Sequence, residues 1–281
     1  MGSKSSALKN WALIVGEDCV TPLFDIGANL THESFADDLD LVLHEARAVG
    51  VERLMITGSD LTSSIAAHEM AEEYAGLWST CGIHPHHASL VDDEALSELE
   101  RLGANSSVRA WGEMGLDYFR DFCPREVQRA AFEAQLELAS RAPKALFLHE
   151  RDAFHDFYPI LNHYRDRFDH VVVHCFTGDA EALRAYIDLD CHIGITGWVC
   201  DERRGQHLLP LIKEIPSNRL LIETDAPYLL PRTLKPKPKS RRCEPKHLVE
   251  VCRFLADVLE VEPSTLASQT FTNANHFFQI P

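Results

Sequence analysis

The sequence predicts a (β/α)8 barrel, the TIM-barrel fold of the α/β class. Short runs of apolar and β-branched residues alternate eight times with stretches of helical periodicity. Polar residues follow these runs at the carboxyl ends of the predicted strands. A doubly wound open sheet is the alternative, but the first strand lacks the G-x-G-x-x-G sequence typical of one such fold. Eight successive strand–helix units over roughly 250 residues favour the barrel.

Length and composition are those of an ordinary globular protein. The chain has 281 residues, of which 45% are hydrophobic and 25% are charged, so it can bury a sizeable core. The formal net charge is −16 at pH 7 with neutral histidines. This charge argues against a general DNA-coating protein, which would be basic. The net charge is compatible with an enzyme that binds nucleic acid through a local basic patch and a metal ion.

Each predicted strand is a short apolar run. The first reads LFDIGANL, the fifth reads KALFL and the sixth reads HVVV. In chain order, the predicted strands are residues 23–30, 53–57, 77–83, 108–112, 144–148, 170–173, 191–195 and 219–222.

A stretch with helical periodicity follows nearly every strand. In the first of these stretches, Leu39, Val42, Leu43 and Ala46 share one face. The predicted helices are residues 37–49, 61–74, 92–102, 124–141, 153–165, 179–189 and 206–215, and two more at 245–259 and 263–278 close the chain. The Pro-rich and basic segment 234–242 is predicted to be an extended loop.

Residues 1–22 precede the first strand and are interpreted as an extension, either disordered or added to the natural chain, before a single hydrolase domain over 23–281. No apolar run approaches the roughly 20 residues that cross a membrane, so no membrane partner is expected. The eight cysteines are scattered without a C-x-x-C pair, which predicts reduced thiols in a cytoplasmic protein. We expect the protein to be a monomer.

Histidines and carboxylates stand at the ends of five predicted strands. These residues are His84 and His86 after the third strand, Glu113 after the fourth, His149 after the fifth, His174 after the sixth and Asp225 after the eighth. A parallel barrel brings all these strand ends to one rim, where TIM-barrel enzymes have their active sites. Residues far apart in the sequence are therefore expected to meet around one point.

Imidazole and carboxylate groups are common ligands of a divalent metal that activates water, which makes Glu113, His149, His174 and Asp225 candidate ligands. Strand alternation points Cys175 away from His174, so a closed cysteine-type zinc site is not expected. The alternatives are buried histidines that are merely hydrogen-bonded in the core, and an Asp225 that caps a following turn. For His84 and His86, metal ligation and substrate contact are equal alternatives.

The motifs resemble those of the TatD family of metal-dependent deoxyribonucleases, within the amidohydrolase-like barrels. The matching segments are FDIGANLT (24–31), ITG (56–58), GIHPH (82–86), GEMGLD (112–117), HERD (149–152), HCFTG (174–178) and ETDAPY (223–228). The segments IGITGWVCDERRG (193–205) and RRCEP (241–245) resemble the bacterial TatD branch. The resemblance covers residues 23–280.

The resemblance implies a TIM-like barrel with a divalent metal held by Glu113, His149 and His174, and with Asp225 as a further ligand or the general base. It implies 3′→5′ exonuclease activity on DNA, preferentially on the 3′ ends of single strands, with RNA as a further substrate. It also implies roles in DNA repair or degradation. Mg²⁺ is the usual metal of the family, whereas the affinity order for imidazole-containing sites favours Zn²⁺, so Mn²⁺ and Zn²⁺ remain alternatives.

The sequence departs from the family pattern at the end of the first strand. Many relatives carry His-x-His there, but this chain reads Asn29-Leu30-Thr31, as in TatD proper. Two imidazoles are therefore missing, and a second metal should bind weakly or depend on substrate. Glu150 replaces a frequent cysteine, and strand alternation points it away from the side of His149.

Phosphate contacts dominate the affinity of proteins for nucleic acids, so cations near the rim are candidate substrate-binding residues. These are Arg203, Arg204, Arg241 and Arg242, together with Lys235, Lys237 and Lys239, on loops after the seventh and eighth strands. The alternative is a basic loop that only contacts water. His84 and His86 are predicted to contact the scissile phosphate, and Trp198, Tyr228 and Phe176 to stack on bases or pack in the core.

Two other functions are compatible with the same fold. One is a barrel hydrolase of a small amide, lactone or phosphoester. Such relatives usually keep His-x-His, often with a carbamylated lysine, whereas Glu113 and His149 occupy the corresponding strand ends here. The other is a catalytically silent scaffold, which the intact set of candidate ligands argues against.

Overall fold

A computed structural model describes residues 21–142 and 144–280. It confirms the predicted barrel: eight parallel strands follow one another around the sheet in chain order. A parallel bridge between Ala28 and Ala226, with a 2.7 Å hydrogen bond from the Asn29 amide to the Ala226 carbonyl, joins the last strand to the first. Residues 1–20 of the predicted extension, which covers residues 1–22, lie outside the described residues.

The strands of the described chain are β1 (Leu23–Ala28), β2 (Val51–Ile56), β3 (Leu77–Cys81), β4 (Val108–Asp117), β5 (Ala145–Arg151), β6 (Val171–His174), β7 (His192–Ile195) and β8 (Leu220–Ile222). Its α-helices are α1 (Leu39–Ala48), α2 (Leu61–Glu73), α3 (Asp93–Gly103), α4 (Arg125–Arg141), α5 (Phe154–Tyr164), α6 (Ala180–Asp188), α7 (Leu208–Ile212), α8 (Leu248–Leu259) and α9 (Pro263–Phe277). Short 3₁₀ helices occupy Glu33–Phe35, Pro85–Leu90, Arg165–Arg167, Gly197–Cys200, Ser217–Arg219 and Pro245–His247.

Several helices begin where the sequence supplies a capping aspartate. The side chains of Asp60, Asp92 and Asp179 accept hydrogen bonds of 2.7, 2.8 and 3.0 Å from the amides three residues later. Each bond satisfies an amide that the helix itself cannot, which stabilises the start of α2, α3 and α6. Every described helix is too short or too polar to span a lipid bilayer.

The hydrophobic core has two layers separated by the sheet. Inward-facing side chains fill the barrel and pack on the end of α9, and they include Phe24, Ile26, Met55, Ala110, Ala145, Phe147, Val172 and Leu221. A larger cluster lies between the outer face of the sheet and the surrounding helices. Ala145 and Phe147 face the barrel interior. Because side chains alternate along a strand, His149 and Arg151 also lie on the inner side of β5.

Strands β4 and β5 extend further than predicted, to Asp117 and Arg151 rather than to residues 112 and 148. The extra residues pair directly, with Gly115 opposite His149 and Asp117 opposite Arg151. Polar residues and glycines interrupt the apolar pattern there, which is why the prediction stopped early. Gly115 has φ of +149°, and a Cβ on it would lie 1.9 Å from the His149 carbonyl oxygen, so only glycine fits this pairing.

Helix α7 is shorter than predicted, covering Leu208–Ile212 rather than residues 206–215. Pro210 falls in its first turn, where a missing amide proton is tolerated. Pro216 restricts the conformation of the residue before it, which opposes continuation of the helix. The other predicted elements exist, and their ends differ from the observed ones by a few residues at most.

Candidate metal centre

Three histidine nitrogens surround one carboxylate oxygen at the carboxyl rim of the barrel. Glu113 Oε1 lies 2.7 Å from His174 Nε2, 2.9 Å from His149 Nδ1 and 3.3 Å from His84 Nε2. These residues come from β4, β6, β5 and the segment after β3. His84, Glu113 and His149 each offer a ligand atom within 4.8 Å of those of the other two. The structure thus brings together all three residues predicted to be principal ligands, and adds His84.

A carboxylate lies behind His149. Its Nδ1 atom faces Glu113, while its Nε2 atom lies 3.5 Å from Asp117 Oδ2. The same Asp117 oxygen lies 2.8 Å from His86 Nε2, and the Arg120 amide donates to its other oxygen at 2.8 Å. A carboxylate behind a ligating imidazole fixes its orientation and raises its basicity. The charge of Asp117 therefore favours the orientation of His149 in which Nδ1 is directed at the cluster.

His174 has the same arrangement with a different carboxylate. Its Nε2 atom faces Glu113, and its Nδ1 atom lies 3.4 Å from Oε2 of Glu223, which is fully buried. The other Glu223 oxygen accepts a 2.6 Å hydrogen bond from the Cys175 amide. The ring of Phe147 stacks on His174 with centroids 4.4 Å apart and forms an apolar floor beneath it.

His84 has a different hydrogen-bonding role from the other two imidazoles. Its Nδ1 atom accepts a 3.1 Å hydrogen bond from the His86 amide. Burial lowers the pKa of His84 to about 4, against the opposing effect of Glu113, so the ring is neutral. A neutral imidazole that accepts at Nδ1 carries its proton on Nε2. That proton points at Glu113, which favours His84 as a donor to an anion over His84 as a metal ligand.

Asp225 lies just beyond β8 and is half-buried, with φ of +54°. Asn29 Nδ2 donates a 3.0 Å hydrogen bond to its Oδ1 atom, and its backbone amide bonds Gly27. Burial raises the pKa of Asp225 to about 7; nearby His174 lowers it, and the carboxylates of Glu113 and Glu223 raise it further. Asn29 belongs to the segment in which the family pattern has His-x-His. In this chain it fixes the carboxyl group of Asp225.

The electrostatics of the cluster fit a bound cation. Burial alone would raise the pKa of Glu113, but the neighbouring imidazoles hold it well below its usual range, so this group is an anion. Among the described residues, the buried atoms without a hydrogen-bond partner include His149 Nε2, His174 Nδ1 and Glu223 Oε2. All three belong to the outer histidine–carboxylate pairs, whose contacts of 3.5 and 3.4 Å are electrostatic and not hydrogen bonds. Two imidazoles and one carboxylate, each directed inward, are the donor set of an open divalent-metal site.

Strand alternation does not determine the orientation of Cys175. The strand β6 ends at His174, and Cys175 adopts φ of +47°, so the alternation does not extend to it. Its thiol lies 3.7 Å from the Thr196 hydroxyl, and burial together with the carboxylates of Asp225 and Glu223 raises its pKa well above the usual value. A neutral thiol is a poor metal ligand. Glu150 does lie away from the cluster, where it accepts hydrogen bonds from Tyr186 and the Ala153 amide.

The cations predicted to bind substrate differ in how far acidic neighbours neutralise them. Arg203 and Arg204 both bind Asp201, with N–O distances of 3.0 and 2.9 Å. Arg242 binds Asp38 at 2.7 Å and Glu244 at 2.8 Å, and is largely buried.

Four other cations of this region are exposed and have no carboxylate partner among the described residues. They are Lys235, Lys237, Lys239 and Arg241.

The three aromatic residues predicted to stack on bases or pack in the core differ in their exposure. Phe176 is 3% exposed and packs near Tyr186 in the core. Tyr228 is 52% exposed and meets the His32 ring edge-on at 5.8 Å. Trp198 is mostly buried but contacts two guanidinium groups, those of Arg151 and Arg204.

Sequence reasoning gave no role to Asp117, Glu223 or Arg151, although all three stood within quoted motifs. Asp117 and Glu223 are charged residues in otherwise apolar strand contexts, a signal that could have singled them out. Which histidine each carboxylate faces depends on the closure of the barrel, and the sequence does not contain that information locally.

A closed parallel barrel with an inward-facing histidine–carboxylate cluster on its carboxyl rim defines a metal-dependent hydrolase of the TIM-barrel class. The chain belongs to the TatD related DNase family, whose family model matches residues 24–279. This confirms the resemblance inferred from the motifs.

Curated relatives match nearly the whole chain. A protein of Yersinia pseudotuberculosis named 3′-5′ ssDNA/RNA exonuclease TatD is 47% identical over 259 residues, which are 92% of this chain and 100% of the relative. A protein of the same name from Klebsiella pneumoniae is 45% identical over 92% of this chain and 98% of its own. Among solved structures, the TatD homolog YJJV of Escherichia coli superposes with a TM-score of 0.84 at 25% identity, over 94% of this chain and 100% of that one.

Proposed function

We propose that this protein is a metal-dependent 3′→5′ exonuclease that hydrolyses phosphodiester bonds of single-stranded DNA and RNA. The observation that carries the proposal is the convergence of His149 Nδ1 and His174 Nε2 on Glu113 Oε1, with a buried carboxylate behind each imidazole. The relatives named as ssDNA/RNA exonucleases support the substrate class.

In this proposal Glu113, His149 and His174 hold the metal, and Asp225 completes the site. A divalent cation supplies charge that makes a water molecule more acidic and neutralises phosphoryl oxygens in the transition state. Mg²⁺ is the proposed metal on the basis of the family resemblance. The two imidazole ligands make Mn²⁺ and Zn²⁺ the ions to compare with it, because such ligands favour transition metals.

Asp225 acts as the general base and orients the attacking water. Asn29 holds one of its oxygens at 3.0 Å, so the carboxylate has a fixed direction. A positioned carboxylate within hydrogen-bond reach of the water accepts its proton as the new P–O bond forms. As that bond forms, the bond between phosphorus and the leaving 3′-oxygen breaks on the opposite side, and the leaving oxygen takes up a proton from solvent.

His84 and His86 contact the scissile phosphate. His84 is neutral, and its Nε2 proton points at Glu113 in the interior of the cluster, so it can donate to a phosphate oxygen that binds there. His86 is held by Asp117 at 2.8 Å, which fixes its ring beside that of His84, with centroids 4.2 Å apart. The His84 ring is therefore placed to donate a hydrogen bond to an anion, whereas Nε2 of His86 is engaged by Asp117.

The exposed cations Lys235, Lys237, Lys239 and Arg241 guide the rest of the strand to the rim, while the residual charge of Arg203 and Arg204 contributes to the same field. Tyr228, half exposed beside the site, stacks on a base.

We further propose that the protein acts as a cytoplasmic monomer. The seven described cysteines are free thiols, as expected in a reducing compartment.

The direct test uses metal-stripped protein and one single-stranded oligonucleotide labelled at either its 3′ or its 5′ end, with Mg²⁺, Mn²⁺ or Zn²⁺ added separately. The proposal expects mononucleotide release from the 3′ label and a shortening ladder from the 5′ label. Asp225→Asn should lose most of this activity. If no metal supports cleavage and Asp225→Asn behaves like the natural protein, hydrolysis of a small amide, lactone or phosphoester replaces this proposal.

A further inference from the structure

Arg151 is the last residue of β5, two positions beyond His149. Ala145, Phe147, His149 and Arg151 follow the alternation of one strand face, and the first two fill the barrel interior. The Arg151 side chain therefore leaves the strand on the side of the metal centre. Two residues of strand advance about 6.6 Å, so its guanidinium lies above the ligand His149 toward solvent.

Two aromatic rings hold this guanidinium. Its central carbon lies 4.1 Å from the Phe119 ring centroid and 4.8 Å from the Trp198 ring centroid. Phe119 comes from the loop after β4, and Trp198 from the 3₁₀ helix Gly197–Cys200 after β7. Residues from three separate parts of the rim thus meet at Arg151. Such contacts restrict the rotamers of a long side chain and leave the N–H groups at its edge available.

The charge of Arg151 is not neutralised by the protein. Among the described residues, no carboxylate lies within ion-pair distance of its guanidinium, and the guanidinium donates no hydrogen bond. Its strand partner Asp117 directs its oxygens at His86, His149 and the Arg120 amide instead. Arg203, Arg204 and Arg242, by contrast, are each bound to a carboxylate.

A fixed, half-buried and unpaired guanidinium beside a metal centre is suited to bind a phosphate through two parallel hydrogen bonds. We propose that Arg151 binds the phosphate next to the scissile one, which is the second phosphate from the 3′ end, and that Phe119 and Trp198 position it. This inference rests on the proposed exonuclease function, because it assigns a subsite for the strand that this function requires. Arg151 would then fix the position of the 3′ end of the strand relative to the metal centre.

The test combines protein variants with a chemically modified substrate. One oligonucleotide carries natural phosphates, and a second carries a neutral methylphosphonate at the second position from the 3′ end. The rate of first-nucleotide release is measured as kcat and KM for the natural protein, Arg151→Gln, Arg151→Lys and the control Arg184→Gln. Arg184 lies on the outer helix α6 and pairs with Glu214 at 2.8 Å, so its removal changes net charge equally.

On the natural oligonucleotide, Arg151→Gln should raise KM by about tenfold to a hundredfold, the range for a hydrogen bond to a charged group. The slope of log(kcat/KM) against log[salt] should fall by about 0.7, corresponding to one phosphate contact on a single strand. Arg151→Lys keeps the charge but loses the planar fork, so it should keep the salt slope with an intermediate KM. Phe119→Leu should also raise KM, and Arg184→Gln should change neither quantity.

The modified oligonucleotide gives the decisive comparison. Methylphosphonate should slow the natural protein and Arg184→Gln, but should add little to the defect of Arg151→Gln, because both changes remove the same contact. Equal penalties in all proteins would overturn the inference. If the natural protein releases no nucleotide from the unmodified strand, the proposed function itself fails. If Arg151→Gln folds poorly by circular dichroism, Arg151→Lys takes its place: methylphosphonate should then slow this variant less than the natural protein, and equal penalties in the two would overturn the inference.

Discussion

Glu223 Oε2 lies 3.4 Å from the Nδ1 atom of His174, on the opposite side of the ring from Glu113. Glu223 is fully buried, and its other oxygen accepts a 2.6 Å hydrogen bond from the Cys175 amide. The backbone contact fixes the carboxylate, and the charge of the carboxylate attracts Nδ1 of His174, which favours the ring orientation with Nε2 toward Glu113. Glu223 is therefore placed to act as a positioning residue for the proposed metal site.

Replacing Glu223 by the isosteric glutamine should weaken metal binding without unfolding the barrel. Glu223→Gln keeps an oxygen for the Cys175 amide but loses the charge that orients His174. The expected loss is about 10- to 100-fold in metal affinity, the range for such outer carboxylates, measured by calorimetric titration of the metal-stripped protein. Glu150→Gln, which changes a buried carboxylate on the other side of β5, is the control. Unchanged affinity in Glu223→Gln would show that His174 needs no such support.

The position of the Glu223 carboxylate can also be changed through Gly194, which packs against it. A Cβ at Gly194 would lie 2.7 Å from Glu223 Oε1 and 3.1 Å from the His174 Cα atom. Gly194→Ala should therefore displace Glu223 and lower both stability, by about 1–3 kcal/mol, and metal affinity.

The control for this variant is Gly103→Ala, whose Cβ would overlap the Trp111 ring away from the site. It should lower the melting temperature without changing metal affinity. If both variants bind metal equally well, the close packing of Gly194 against Glu223 has no functional consequence.

The stability of the protein should fall on mild acidification because of His247. Its Nδ1 atom accepts a 2.9 Å hydrogen bond from the Glu244 amide, and burial, aided by the nearby Lys246, lowers its pKa to about 4. The folded protein thus disfavours the protonated ring. The contribution of His247 is complete above pH 6.5 and is lost as the pH falls from 6.5 towards 4, amounting to roughly 3 kcal/mol.

This pH dependence can be measured by urea unfolding of the metal-stripped protein between pH 7.5 and 4.5. His247→Asn, which can still accept the amide hydrogen bond but does not titrate, should show a flatter profile. Replacement of the exposed His163 by Asn is the matched control and should retain the natural slope. A His247→Asn profile parallel to that of the natural protein would contradict the assignment.

Adjacent arginines in the basic loop should give opposite phenotypes. Arg241 is exposed without a carboxylate partner among the described residues, whereas Arg242 joins Asp38 before α1 to Glu244. Arg241→Gln should raise KM for single-stranded DNA a few-fold and reduce its salt dependence, with no change in melting temperature. Arg242→Gln should cost about 1.5–3 kcal/mol of stability, because it leaves charged partners unsatisfied. Thermal unfolding and kinetics on the same two proteins separate these roles, and a reversal of the two phenotypes would contradict them.

The strands and helices were predictable because apolar periodicity is a local property of the sequence. Residues 61–74 and 124–141 were placed correctly to within one residue at either end, since the capping residue Asp60 precedes the first helix and Pro124 precedes the second. The extension of β4 through Glu113 to Asp117 was not predictable, because its polar residues and glycines are tolerated only where β5 pairs with them. The shortness of α7 follows from prolines whose effect the periodicity ignored.

The sequence by itself determined the barrel and predicted that Glu113, His149, His174 and Asp225 lie on one rim, because parallel strands of a barrel must end on a common rim. Only the tertiary structure decided what each group faces. It placed Asp117 behind His149 and Glu223 behind His174, left the Nε2 proton of His84 facing Glu113, and enclosed Arg151 between Phe119 and Trp198. These contacts join residues from strands and loops distant in the chain. Their distances depend on how the closed sheet twists and packs, which no local pattern of residues specifies.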